Sequence, residues 1–160
     1  MQANATKEHQ WLEKLIGDWT GECEASMKPG EPPVKSRFTE TVRSLGGLWT
    51  VAEGESEMTG CGPSTTIMTL GYDPQKKRYM GTFVASIMPN LWSYDGELDS
   101  AGKILTLHTE GPSMSAEGKM ARYKDVIEFQ GEDHRTMTSH VLGEDGNWHS
   151  FMMANYHRQK

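Results

Sequence analysis

From Asp18 onward the chain breaks into short segments of alternating character, each about eight to twelve residues long and closed by turn-forming residues. A period of two with turns at that spacing belongs to antiparallel all-β domains and excludes helical bundles and βαβ folds. Strands are predicted over 18–26, 34–45, 48–59, 64–72, 77–87, 91–99, 103–110, 121–130, 134–142 and 147–158, ten in all. The connections have specific turn chemistry. Lys28-Pro29-Gly30-Glu31-Pro32-Pro33 reads as a rigid loop, Gly46-Gly47 as a tight hairpin turn and Tyr72-Asp73-Pro74-Gln75-Lys76 as a proline-led turn. Ser100-Ala101-Gly102 and Glu144-Asp145-Gly146 offer glycine for positive φ. Strands joined in order by tight turns form a meander, and a long meander hides its two edges most economically by closing into an up-and-down barrel. With about ten strands such a barrel is wider than one whose side chains fill it, so a lumen is expected.

Ahead of the strands, Thr6 to Ile16 reads as one short amphipathic helix: His9, Leu12 and Ile16 fall three to four apart, Trp11 and Leu15 join them, Thr6 is the N-cap and Gly17 the stop. The whole of 1–160 fits a single domain. Leu, Ile, Val and Phe supply only 25 of the 160 residues, a scarcity that approaches the disordered range. Five Trp, five Tyr and 11 Met against a net charge of only -6 argue for a packed core rich in methionine and aromatics instead. A mean hydropathy of -0.64 and the lack of any apolar run of about 20 residues exclude a membrane-spanning helix. The pI near 5.5 without a basic stripe speaks against nucleic acid. No apolar stretch follows a basic start at the N-terminus, so a cytoplasmic protein is expected.

Alternation assigns several faces. Trp92, Tyr94, Gly96 and Leu98 share one face of their strand opposite Ser93, Asp95, Glu97 and Asp99, which points the first set inward. In 77–87 either Tyr79, Gly81, Phe83 and Ala85 or Met80, Thr82, Val84 and Ser86 could be inside. The last strand is equally open, with Trp148, Met152, Ala154 and Tyr156 on one face and His149, Phe151, Met153, Asn155 and His157 on the other. Strands apolar on both faces would be covered on the outside by the helix or by a partner subunit, the latter in a homo-oligomer. Methionines spread over many strands suit a cavity that adapts to varied apolar shapes, or serve as core filler. Trp49, Met68, Phe83, Trp92, Tyr94, Met152 and Tyr156 are the residues expected to line a lumen for a small hydrophobic or amphipathic ligand. Ile87-Met88-Pro89-Asn90-Leu91-Trp92 reads as an apolar turn at its rim.

Gly17-Asp18-Trp19 opens the first strand and Tyr156-His157-Arg158 ends the last. That arrangement resembles the calycin barrels, the lipocalin and fatty-acid-binding-protein superfamily, in which the Trp closes one barrel end beneath a cation. A guanidinium over an indole contributes about 0.5–2 kcal/mol and would join first strand to last, so Trp19 and Arg158 read as closure. Glu8-His9-Gln10-Trp11-Leu12, Leu15-Ile16-Gly17-Asp18-Trp19, Leu45-Gly46-Gly47-Leu48-Trp49, Thr69-Leu70-Gly71-Tyr72-Asp73, Tyr94-Asp95-Gly96-Glu97-Leu98 and Asn155-Tyr156-His157-Arg158 together resemble the bacterial domain-of-unknown-function family fifteen seventy-nine over essentially the whole chain. The resemblance implies a lipocalin-like barrel and carries no catalytic residues with it.

Chemistry-bearing residues are sparse. The six histidines, His9, His108, His134, His140, His149 and His157, show no zinc spacing along a helix or strand. The nitrobindin-like heme barrels, distant calycins, bind heme through one histidine near the C-terminus, and His157 occupies a similar place beside Met152 and Met153, which makes it the heme candidate. Glu53, Glu55 and Glu57 alternate along one face and read as a solvated surface; turned inward, Glu53 or the neighbouring Glu40 would become a general acid. Cys23 and Cys61 fit no metal or redox spacing and read as free buried thiols. No nucleophile elbow or phosphate loop is present in the sequence. The expectation is therefore a binding barrel without catalysis, needing no cofactor; the alternative is a heme or enzymatic barrel working through His157 or an inward carboxylate.

Overall fold

In a computed structural model, residues 3–26, 31–58 and 62–160 are described. An α-helix, α1 (Lys7–Leu12), runs into a 3-10 turn over Glu13–Leu15. Ten strands follow: β1 (Gly17–Ala25), β2 (Val34–Leu45), β3 (Trp49–Met58), β4 (Gly62–Asp73), β5 (Arg78–Ala85), β6 (Met88–Leu98), β7 (Ile104–Pro112), β8 (Met120–Phe129), β9 (His134–Leu142) and β10 (Trp148–Arg158). Each strand pairs antiparallel with the next, and β1 pairs β10, so the meander closes into the expected barrel. The Lys28–Gly30 part of the proline loop and Cys61 lie outside the described residues.

Local chemistry sets the helix and its end. The Thr6 side chain accepts from the His9 backbone N–H, and His9 Nδ1 accepts in return from the Thr6 N–H at 2.9 Å, a reciprocal cap with histidine in the usual Glu position. With Nδ1 so engaged, Nε2–H donates to the Tyr72 carbonyl at 3.0 Å and pins the helix to β4. Six α-helical residues followed by 3-10 replace the continuous helix to Ile16 that the spacing suggests, because the chain must turn into β1 at Gly17, where φ is +135°. The hairpin glycines Gly46 and Gly47 both take positive φ, as their turn requires.

The register assigns the two faces. Trp19, Phe38, Ala52, Met68, Phe83, Trp92, Leu107, Asp125, Met137 and Ala154 belong to inward rows, and their chain neighbours point out. In β5 the inward set is Tyr79, Gly81, Phe83 and Ala85. In β10 a bulge between Ser150 and Met152 breaks the alternation, which is why neither face of that strand was cleanly apolar in the sequence. Met152, Ala154 and Tyr156 point in, while Trp148 lies outside beneath Lys124. β5 ends at Ala85 and β6 begins at Met88, so Ile87 sits in the turn and Met88–Trp92, expected as a rim turn, is strand.

One barrel end is plugged. Trp11, Leu12 and Leu15 pack onto Trp19, Val42, Leu70, Tyr79 and Leu105, and the Trp11 indole donates to the Gly102 carbonyl at 2.7 Å. Each fully buried leucine contributes about 1.5–3 kcal/mol. The core is built from Trp, Leu and Tyr. Met68 and Met137 only border it, and Met114, Met120 and Met153 are exposed, so the methionine-rich interior expected from composition is replaced by a leucine and aromatic one.

Candidate functional site

Next to the plug, the lumen holds two buried polar groupings set by strand register. Arg135 enters the inward row of β9 next to Phe129 and Tyr156. A buried guanidinium needs a counter-charge, and Glu40, on the inward row of β2, accepts from its Nη2 at 2.6 Å. The guanidinium carbon lies 3.8 Å from the Tyr156 ring centroid and 4.6 Å from that of Trp19, so it is stacked between two aromatic faces. Arg135 is 3% exposed and its Nε has no hydrogen-bond partner. On the neighbouring arc, Asp125 of β8 accepts from the Tyr94 hydroxyl at 2.5 Å and from the Ser139 hydroxyl at 2.6 Å. Burial raises the Asp125 carboxyl above the ordinary Asp range, against the two hydroxyls that favour its charge. Burial and the adjacent Asp125 raise the Tyr94 phenol well above its usual value, so Tyr94 stays a donor. Burial likewise raises Tyr156 and the Cys23 thiol.

Above these groups the inward side chains change character. Val42, Leu70, Tyr79 and Leu105, near the helix, are buried, whereas Phe38, Met68, Phe83, Trp92 and Met152 are only half-buried although they face the axis. Solvent therefore reaches the lumen from the end opposite the helix. Trp92, Tyr123 and Phe151 form an edge-to-face chain there, with centroid separations of 5.2 and 6.0 Å.

Of the residues expected to line the lumen, Met68, Phe83, Trp92, Tyr94, Met152 and Tyr156 all lie on inward rows. Trp49 does not. It lies on the outer face of β3 against Gly71, where a Cβ would stand 2.5 Å from its ring, and it is 42% exposed. Of the two candidate carboxylates, Glu40 is inward and Glu53 is exposed with Glu55 and Glu57. His157 is exposed on the outer wall, its ring stacked on His134 at 4.6 Å. Among the described residues no group of three or more His, Cys, Asp and Glu is placed to hold a metal. A concavity of about 900 Å³ is lined both by inward residues, Phe38, Ser56 and Ser64, and by the outward residues Glu22, Arg37, Glu55 and Glu57. Its outward charged side chains face bulk water and partly pair with one another, as Arg37 does with Glu22 at 3.9 Å, so its lumenal part is the more discriminating one. Arg135, Asp125 and Ser139 escaped the sequence reading. Their signal is a polar residue breaking an inward apolar row, as in Tyr123-x-Asp125-x-Ile127 and Arg135-x-Met137-x-Ser139.

The sequence matches, over residues 4–158, the family described as "Protein of unknown function (DUF1579)". No curated protein matches it. Similar solved structures include Rv2717c from M. tuberculosis, with a TM-score of 0.67 at 13% identity, covering 98% of this chain and 100% of that one. The S-type phycobiliprotein lyase CPES from Guillardia theta gives a TM-score of 0.64 at 12% identity, covering 96% and 93%. EF1p2_mFAP2b bound to DFHBI gives 0.50 at 10% identity, covering 94% and 98%. At these identities the likeness is one of fold.

Proposed function

The chain belongs to the DUF1579 family of proteins of unknown function, and we propose that it binds a small molecule in its lumen, one with an apolar or aromatic body and a hydrogen-bond acceptor at its inner end. The carrying observation is the pairing of a half-exposed aromatic mouth, Phe38, Phe83 and Trp92, with a buried guanidinium below it whose Nε lacks a partner. An apolar body would cover the rings, and an acceptor atom would satisfy Arg135. A barrel of the same fold is described as bound to DFHBI and another is a phycobiliprotein lyase, which supports a lumen suited to small molecules. The reading is of binding without turnover, since Glu40 and Asp125 are both engaged by neighbouring donors. It includes a cytoplasmic location, which suits the free thiol of Cys23. Pairing of subunits through the outer apolar side chains Trp49, Ile67 and Val84 also belongs to this proposal.

Native mass spectrometry after incubation with mixed fatty acids and aromatic metabolites tests the central claim. A one-to-one complex that weakens at least about tenfold in Phe83→Ala is expected. A protein that stays bare across that mixture removes the reading.

A further inference from the structure

One seam of the barrel is incomplete. β6 and β7 pair only between Asp95–Leu98 and Leu105–His108, whereas β7 pairs β8 along its whole length from Ile104 to Pro112. Continued pairing would set Tyr94 against Thr109 and Trp92 against Gly111, but β6 leaves the ladder at Tyr94. On the lumen side of this length a side chain covers the inner face of β7. The Trp92 indole lies over Gly111, where a Cβ would stand 2.8 Å from its Cε3 with other ring atoms closer still. Its ring nitrogen donates only to the Met88 sulfur, at 3.1 Å, a weak acceptor. Three buried side-chain polar atoms among the described residues have no partner, and two of them, Asn90 Nδ2 and Thr109 Oγ1, belong to the lengths of β6 and β7 that have parted. Buried polar atoms on both of these lengths are therefore left to bond water or another polar molecule.

We infer that the parted β6–β7 seam is a side entrance to the lumen, that Trp92 is its gate, and that Asn90 and Thr109 exchange hydrogen bonds with the passing molecule. The inference rests on the lumenal binding proposed above. Trp92 is suited to the role because one face meets a residue with no side chain and its only polar tie is to a thioether, so swinging outward breaks no strong bond. On its lumen side it touches Tyr123 edge-on, at 5.2 Å, so the same ring completes the wall when closed.

Stopped-flow fluorescence with cis-parinaric acid, a conjugated fatty acid that brightens out of water, tests the gate in wild type, Trp92→Ala and Gly111→Ala. Lifting the ring off Gly111 in Gly111→Ala is expected to raise the association and dissociation rates together by about tenfold while the dissociation constant stays within about threefold. Trp92→Ala, which also removes ring surface that the ligand covers, is expected to raise the association rate by about tenfold and the dissociation rate by more. Trp148→Ala, on the outer wall, leaves both rates as they are. Unchanged association rates in the two seam variants overturn the gate and leave Trp92 only a wall of the site. Hydrogen exchange reads the seam without any ligand: amides at 91–93 and 110–111 are expected to exchange faster than those of the other strand interiors, and equal protection overturns the open seam. Absence of probe emission in wild type and all variants counts against the binding lumen itself, and the gate falls with it.

Discussion

Arg135 and Glu40 meet across the barrel at 2.6 Å, from strands 95 residues apart in the chain, with the guanidinium held between the Trp19 and Tyr156 rings. Such a pair costs desolvation on both sides, so removing one partner is worse than removing both. Glu40→Ala leaves a buried, uncompensated cation and is expected to destabilise the barrel by about 3–5 kcal/mol. For a chain of this size that lowers Tm by roughly 10 °C. The double variant Glu40→Leu with Arg135→Met recovers most of the loss. Calorimetry of the three proteins decides it, and an Arg135→Met, Glu40→Leu protein less stable than Glu40→Ala would contradict the cost assigned to the lone charge.

Asp125 gives a pH signature of the opposite sign from most carboxylates. Its folded-state affinity for a proton is raised by burial, so between its ordinary and its raised value the folded chain binds more protons than the unfolded one. Stability therefore falls as pH rises through that window, and the cost of the buried carboxylate is absent below it. Asp125→Asn removes the titration, keeps an acceptor oxygen for one of the Tyr94 and Ser139 hydroxyls, and donates its amide N–H to the oxygen of the other. The difference in urea midpoint between wild type and Asp125→Asn is expected to grow in favour of the variant as pH rises from 4 towards neutrality. A pH-independent difference would mean that Asp125 is not desolvated in the folded chain.

Much of this was legible in the chain and the rest failed for identifiable reasons. Strand number, order and closure follow from a period of two and from turn residues, which are local and physical. The Trp19 and Arg158 pairing was readable because a cation and an indole at opposite chain ends have one economical use in a closed barrel. Trp49 was misplaced onto the lumen because a large apolar side chain reads as interior, whereas a glycine on the adjacent strand, Gly71, gives it a flat seat outside. β10 stayed ambiguous because one bulge inverts its alternation. The Arg135–Glu40 and Tyr94–Asp125 contacts depend on which strands face each other across the lumen, information that no local pattern carries.

Trp49 and Phe83 separate the two walls experimentally. Both are aromatic and partly exposed, but Phe83 belongs to the inward row opposite Trp92 while Trp49 rests on the outer sheet. Trp49→Ala is expected to leave lumenal ligand affinity within about twofold of wild type, whereas Phe83→Ala weakens it about tenfold or more. Titration of cis-parinaric acid into both variants reads the contrast. Equal losses would place the ligand outside the barrel.

Arg158 ties the plug to the barrel's closing seam. Its guanidinium carbon lies 4.3 Å over Trp19, on a ring that Arg135 also approaches, and its Nη2 donates to the Lys14 and Glu132 carbonyls at 2.7 and 3.2 Å. Nη1 donates to the Ile16 carbonyl, and Nε pairs with Asp133 at 3.1 Å. Three carbonyls, a carboxylate and a ring face are arranged around a planar fork, which an ammonium cannot match. Arg158→Lys is therefore expected to cost about 2 kcal/mol through the lost carbonyl bonds, with a Tm fall of roughly 4–8 °C. Lowering pH adds a second readout. Lys160 and Arg158 hold the Asp133 carboxyl below its usual range, so its stabilisation is present above the unfolded-state value and disappears as pH falls through the lower folded-state one. In Arg158→Lys that acid-side loss is smaller and is complete at a higher pH, because one of the two cations no longer reaches Asp133. An Arg158→Lys protein with the wild-type Tm and the wild-type acid midpoint would show that the helix is held by its apolar face alone.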